Sequence, residues 1–286
     1  MILHKIQTCH LMLELLYGKL FQLWRELENN SFVFKEIIMK LEEYLQTLPR
    51  SILSGNDVQL PEHSFREIFE FVKLSKDDIF YHLGCGNGKG LAIAMEEFDV
   101  KKAIGIDNDE KKIEQAKILL QEKNLKQGSV HCIDITETSF DDATVILFWF
   151  TDILIIEQMM EKFEKLKNGT KIITIWGPLP GCLPDKVEFP YIVNQVPFKH
   201  AKDLKEQLLA IFGTKCVDFV NAWEFAERYT KAIGSPEAGN DRFLTILQSL
   251  VIWINAKNLG VACTEEIPPA IKNYMGILRN FFNIEV

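Results

Sequence analysis

The chain has 286 residues, 47% of them hydrophobic and 25% charged, an ordinary globular balance with length for one large core or two small ones. Its net charge of −8 argues against a nucleic-acid partner, because neutralising phosphates needs clustered Lys and Arg. The six cysteines, at positions 9, 85, 132, 182, 216 and 263, form no CxxC or Cys/His cluster. That spacing speaks against a zinc site or any other metal centre and fits scattered thiols in a reducing cytoplasm.

Residues 1 to about 48 predict two helices, divided at "ENNSF". Leu13, Leu16, Leu20 and Trp24 fall on a broad apolar stripe, while His4, Lys5, His10 and Glu14 interrupt it too often for a membrane span or a leader. "PRSILSGNDVQLPE" is a turn-rich linker, and a short helix follows over 63–74. From residue 78 the texture alternates. "DIFYHL", "KKAIGID", "SVHCID", "ATVILFWF" and "GTKIITIW" read as strands, with helical patterns between them. Strands alternating with helices imply crossover units and a parallel sheet. "ATVILFWF" carries no charge and is apolar on both faces, as a central strand must be. The proline-rich segment 177–190, with Pro178, Pro180, Pro184 and Pro190, predicts a loop or lid. Helical stretches follow at about 200–212, 220–233, 241–257 and 267–283. The expected organisation is a Rossmann-like α/β domain over 51–180, an N-terminal helical extension over 1–50 and a mostly helical region over 181–286.

The chemistry concentrates in "HLGCGNGKG". Gly84, Gly86 and Gly88 stand at alternate positions between a strand and a helix. Glycine permits the tight turn there, and the backbone N–H groups at the helix start can approach a ligand closely. The loop gains meaning from its context. Asp107 ends the next strand, 21 residues after Gly86, where a carboxylate can accept both ribose hydroxyls of an adenosine cofactor. Asp134 ends the third strand and can accept from an adenine amino group. Lys89 is followed by Gly90 rather than Ser or Thr, and the spacing is too short for a nucleotide-hydrolysing P-loop. A dinucleotide loop expects a third glycine where Lys89 stands, although Asp107 would still suit NAD, so an NAD-linked oxidoreductase remains an alternative.

"IFYHLGCGNGKG", "AIGIDND" and "VHCIDI" resemble the first three motifs of class I S-adenosylmethionine-dependent methyltransferases, and most closely those of the archaeal protein-lysine methyltransferases. The resemblance runs over about residues 57–177. It implies a Rossmann-like fold, S-adenosylmethionine as cofactor and a protein substrate methylated on lysine. By position it implies that Gly84, Cys85, Gly86 and Gly88 line the methionine moiety. Asp107 with Asn108 would hold the ribose, Asp134 with Ile135 would face adenine, and Pro61 and Glu62 would close over the cofactor. The family's loop carboxylate is replaced by His82, and a later acidic residue by Asn87. Neutral His82 can accept one hydrogen bond from the methionine ammonium, whereas a protonated ring would repel it, so affinity is expected to fall as His82 titrates. The two replacements also keep open a cofactor-binding module without catalysis, whose helical flanks would serve as an oligomer or partner surface.

The methyl acceptor should arrive at the end of the fourth strand, in "LFWFTD". The signature of amide and exocyclic-amine methylation, an Asn or Asp before Pro-Pro-Tyr/Phe, is absent there. Phe148 and Trp149 are the acceptor-pocket candidates, with Phe150 and Trp176 as further aromatics at the same edge; an aromatic face attracts a sulfonium or an ammonium. "KHAKDLKEQ" carries Lys199, Lys202, Lys205 and His200 and reads as a solvated helix face.

Overall fold

A computed structural model describes residues 60–150, 152–233 and 242–282. The two helices expected before residue 49, and the linker up to residue 59, lie outside the described residues.

Helix α1 (Glu62–Val72) starts after Pro61, whose fixed φ of −66° leads the chain into the helix. Phe65, Ile68, Phe69 and Val72 recur at helical spacing and are buried. Strand β1 (Ile79–Leu83) follows, then α2 (Lys89–Glu96), which buries every residue from Gly90 to Met95. Strand β2 (Lys102–Asp107) leads to α3 (Glu110–Glu122). The Asp109 side chain caps α3 by accepting from the N–H groups of Lys111 and Lys112. Only Ile113, Ala116 and Leu120 of α3 are buried, a narrow stripe that suits a helix with three solvent-facing sides. Strands β3 (Gly128–Cys132) and β4 (Val145–Phe148), helix α4 (Ile153–Phe163) and strand β5 (Lys171–Ile175) complete the alternating part.

The segment expected to be a proline-rich loop instead builds strands: β6 (Cys182–Leu183), β7 (Lys186–Glu188), β8 (Tyr191–Gln195) and β9 (Lys199–His200). Its prolines do not oppose this, because they bracket strands rather than sit inside them. Pro190 immediately precedes β8 and Pro197 follows it, both after cis peptide bonds. The larger sheet has seven strands in the order β3-β2-β1-β4-β5-β8-β7. Strands β3, β2, β1, β4 and β5 run parallel; β8 lies antiparallel to β5, and β7 antiparallel to β8. The chain moves outward from β1 to β3, then returns to β4 and moves outward the other way. The crevice between the carboxyl ends of β1 and β4 is therefore the place where an open α/β sheet takes a ligand. All four residues of β4 are buried, as its apolar sequence requires in the middle of the sheet.

Helices α5 (Leu204–Phe212), α6 (Phe219–Ile233), α7 (Arg242–Asn258) and α8 (Pro269–Phe282) follow close to the predicted spans. Among the described residues, one compact unit covers 60–215 with 231–233, and the other covers 216–230 with 242–282. The α/β unit thus extends past the expected boundary at 180, because β8 and β7 belong to its sheet. None of the described helices is long and apolar enough to cross a membrane.

In the second unit Cys216 and Cys263 form a disulfide with Cα atoms 4.8 Å apart. A parallel bridge between Val217 and Ala262 sets them side by side, with the Cys263 N–H donating to the Val217 carbonyl at 3.0 Å. This corrects the reading of six separate thiols and removes the compositional ground for a reducing compartment. The bridge closes a separation of 47 residues. Cys216→Ser is expected to destabilise this unit by about 2–4 kcal/mol. Urea unfolding followed by tryptophan fluorescence measures it, and dithiothreitol should reproduce the loss in the unsubstituted protein; an unchanged transition on reduction would contradict the role.

Candidate functional site

The glycine loop leaves β1 and bends toward β2. The N–H groups of Gly84 and Cys85 both donate to the Ile106 carbonyl, at 2.8 and 2.9 Å. Gly84, Gly86 and Gly88 have φ of 76°, 55° and 80°, a left-handed region that a side chain disfavours. Gly88 carries a second constraint: a Cβ built on it would stand 2.8 Å from the Cβ of Ala116 on α3. The Asn87 side chain accepts from the Lys89 N–H at 3.3 Å, helping to start α2. Cys85 is 4% exposed, and burial pushes its thiol well above the ordinary range, so it is a packed side chain and not a nucleophile.

Asp107 ties this loop to the next. Its Oδ2 accepts from the Gly86 N–H at 2.8 Å, and its Oδ1 accepts from the Asp109 N–H at 3.0 Å. Each carboxylate oxygen retains a further lone pair for a ligand hydroxyl. Asn108 beside it is exposed. Strand β3 ends at Cys132, two residues before its expected end, and Asp134 stands in the turn that follows. The Thr136 hydroxyl and N–H both donate to Asp134 Oδ1, at 2.7 and 2.8 Å. Those bonds hold the exposed Asp134 carboxyl below the usual carboxylate range. Ile135 is 6% exposed and packs in the core. The exposed apolar side chain of this turn is that of Ile133, whose N–H donates to the Asp107 carbonyl at 3.1 Å. Sequence reasoning passed over Ile133, since the neighbour of Asp107 becomes visible only once β2 and β3 are paired.

The aromatic residues at the end of β4 separate into different roles. Phe148 is 2% exposed, lies in the core cluster and meets Phe163 edge-on at 5.2 Å, so it belongs to the core and not to an acceptor pocket. Trp149 and Phe150 are partly buried. Phe150 stacks on Phe148 at 4.9 Å and reaches the glycine loop, where a Cβ built on Gly84 would stand 3.1 Å from its Cζ. At the end of β5, Trp176 adopts φ of 71°, an outlier for a bulky residue. The Gly177 N–H donates to the Ile175 carbonyl at 2.9 Å, closing a γ-turn on Trp176, while the Trp176 N–H donates to the Pro190 carbonyl at 2.7 Å. Backbone strain of this kind gathers at functional edges. In the basic stretch, Lys199 and His200 form β9 rather than part of the expected helix face, Lys199 pairs with Asp185 at 2.6 Å, and the helix begins only after Asp203, which caps α5.

His82 departs most from expectation. It lies on β1 opposite Gly105 of β2 and Leu147 of β4. Its ring is 7% exposed and packs edge-on against Phe65 at 5.5 Å and tilted against Phe80 at 6.2 Å. Among the described residues Nδ1 has no hydrogen-bond partner. Burial lowers its pKa to about 3, so the ring is neutral at all ordinary pH values. This overturns the expected titration in the cofactor-binding range. The remaining cradle fits an adenosyl cofactor: an exposed Gly84 backbone and the braced Asp107 carboxylate.

The sign of the stability effect follows. Above the unfolded value of 6.5 the ring is neutral in both states. Below it the unfolded chain binds a proton that the folded chain refuses, and stability falls by about 1.4 kcal/mol per pH unit toward pH 3. His82→Gln is expected to flatten this part of the stability profile between about pH 4 and 6, as read by urea unfolding. Cofactor affinity of the unsubstituted protein should be level from about pH 5.5 to 8, and a drop toward acid in calorimetric titration would contradict the burial.

A family model described as a methyltransferase domain matches residues 74–212. A protein-lysine N-methyltransferase of Saccharolobus islandicus is 34% identical over 134 residues, which are 46% of this chain and 81% of that protein. Among solved structures, an RNA methyltransferase of Salinibacter ruber with S-adenosyl-L-homocysteine is 20% identical with a TM-score of 0.47, over 51% of this chain and 99% of that one. A glycine loop held open by left-handed backbone, a carboxylate at the end of β2 and a relative matched over most of its length agree, and the oxidoreductase alternative falls: the chain belongs to the S-adenosylmethionine-dependent methyltransferases.

Proposed function

We propose that this methyltransferase acts on the ε-amine of lysine in a protein. The observation that carries the reading is the similarity to the Saccharolobus islandicus protein-lysine N-methyltransferase over most of that protein's length. The net charge of −8 supports it, since an acidic chain suits a cationic acceptor better than a polyanion.

Within this reading the glycine backbone at 84–88 takes the methionine moiety, with Cys85 packed beneath and His82 behind. Asp107 accepts the ribose hydroxyls beside Asn108. Asp134 accepts from the adenine amino group, with the exposed Ile133 beside Asp107 as the apolar contact for its ring. Trp149 and Trp176, at the ends of β4 and β5, border the acceptor's entry. Bound S-adenosylmethionine supplies an electrophilic methyl carbon, so the protein needs alignment and a neutral amine rather than a nucleophile of its own. An apolar rim favours the neutral amine by withholding solvent from the ammonium, and the proton leaves to water.

Incubation with methyl-labelled cofactor and cell extract tests the substrate. Label should appear in protein, resist RNase and yield methyl-lysine on acid hydrolysis; label in RNA or a small molecule rejects the lysine assignment, and cofactor binding without transfer favours a non-catalytic module. Asp107→Ala should weaken cofactor binding about 100-fold in calorimetric titration, through two lost charge-assisted hydrogen bonds and an unbraced Gly86. Asp134→Ala should cost about 10-fold, since one hydrogen bond at an exposed site is removed.

A further inference from the structure

We propose that Phe150 is the surface against which the sulfonium of the cofactor is held, and that its ring makes the protein prefer the charged methyl donor to the neutral product, S-adenosylhomocysteine. The inference rests on the S-adenosylmethionine reading of the glycine cradle. Three observations carry it.

The first is position. Leu83 of β1 pairs with Phe148 of β4, so the glycine loop and the residues after β4 leave the sheet side by side at the crevice. Phe150 reaches across that crevice: its Cζ and Cε2 stand 3.1 and 3.4 Å from a Cβ built on Gly84. Any side chain at position 84 would meet the ring. The glycine therefore lets Phe150 approach the cradle, in addition to allowing a φ of 76°.

The second is rigidity. Phe150 stacks on Phe148 at 4.9 Å with 24° between the planes, and Phe148 is fixed edge-on by Phe163 at 5.2 Å and 81°. Phe148 and Phe163 are both fully buried in the core. A ring backed in this way presents one face at little entropic cost.

The third is charge. His82, in β1 just ahead of the glycine loop, is neutral and packed against Phe65 and Phe80, so it brings no negative charge to the cradle. A sulfonium differs from a thioether only in its positive charge, and an aromatic face offers that charge partial negative potential without an ion that must be desolvated.

Calorimetric titration of the protein with S-adenosylmethionine and, separately, with S-adenosylhomocysteine tests the proposal. Phe150→Leu should lower affinity for the sulfonium about 2- to 30-fold, the range of a cation–π contact, and leave the thioether within about 2-fold. Trifluorophenylalanine at position 150 keeps the ring's size and weakens its negative face, so it should reproduce the selective loss even if the leucine variant folds poorly. Equal losses for both ligands, or a gain in affinity on shortening the side chain, overturn the proposal; the latter would mean that the ring obstructs the cradle. If the unsubstituted protein binds neither ligand, the cofactor reading itself fails instead.

Discussion

The hydrogen bond from the Gly86 N–H to the Asp107 carboxylate, 2.8 Å long, holds the site together. Three left-handed glycines at alternate positions have little reason of their own to keep one shape, because glycine loses more freedom on ordering than any other residue. The Ile106 carbonyl receives the loop's first two amides, and the next residue's carboxylate receives its middle one. The last two residues of β2 thereby define the turn after β1. The same carboxylate then reaches on to the Asp109 amide, ahead of the cap of α3. Strand, loop and the start of α3 share one acid. Ordering entropy that a flexible loop would lose on binding is lost during folding instead, which is the physical content of preorganisation.

How much of this the sequence discloses depends on the range of the interaction concerned. Alternating strands and helices from residue 79 to 175 are local periodicities, and they appear where expected. The Gly-loop and Asp107 also read correctly, because their positions at strand ends follow from those periodicities. The stretch 177–200 misleads. Its strands are two to five residues long, and the prolines that suggest a loop only mark their ends. Ile135 and Phe148 mislead for another reason. Ile135 lies in the turn after β3, where strand alternation no longer applies, and Phe148 ends a strand buried along its whole length, with Phe163 of α4 against its ring.

The cysteines show the limit of spacing arguments. Nothing between Cys216 and Cys263 in sequence suggests a pair, since 47 positions and two helices, α6 and α7, separate them. What joins them is a single bridge between Val217 and Ala262, flanked by the buried Val261. A contact of that order is set by how a helical unit closes on itself, which composition does not report.

His82 is shaped by both local and long-range contacts. Phe65 lies 17 positions before it and meets its ring only because α1 packs over the start of α2, where a Cβ on Gly90 would stand 2.5 Å from the Phe65 ring. Between Phe65 and Phe80 an ionised carboxylate would carry the cost of burying an unpaired charge. A neutral imidazole leaves one ring nitrogen without a partner among the described residues, a penalty of about 1–3 kcal/mol. The histidine therefore suits its aromatic neighbours better than an acid would, and the aromatic neighbours explain why it does not titrate. The packing of α1 thus disfavours a negative charge at position 82, while the Phe150 ring, just after β4, rests against Gly84 on the glycine loop.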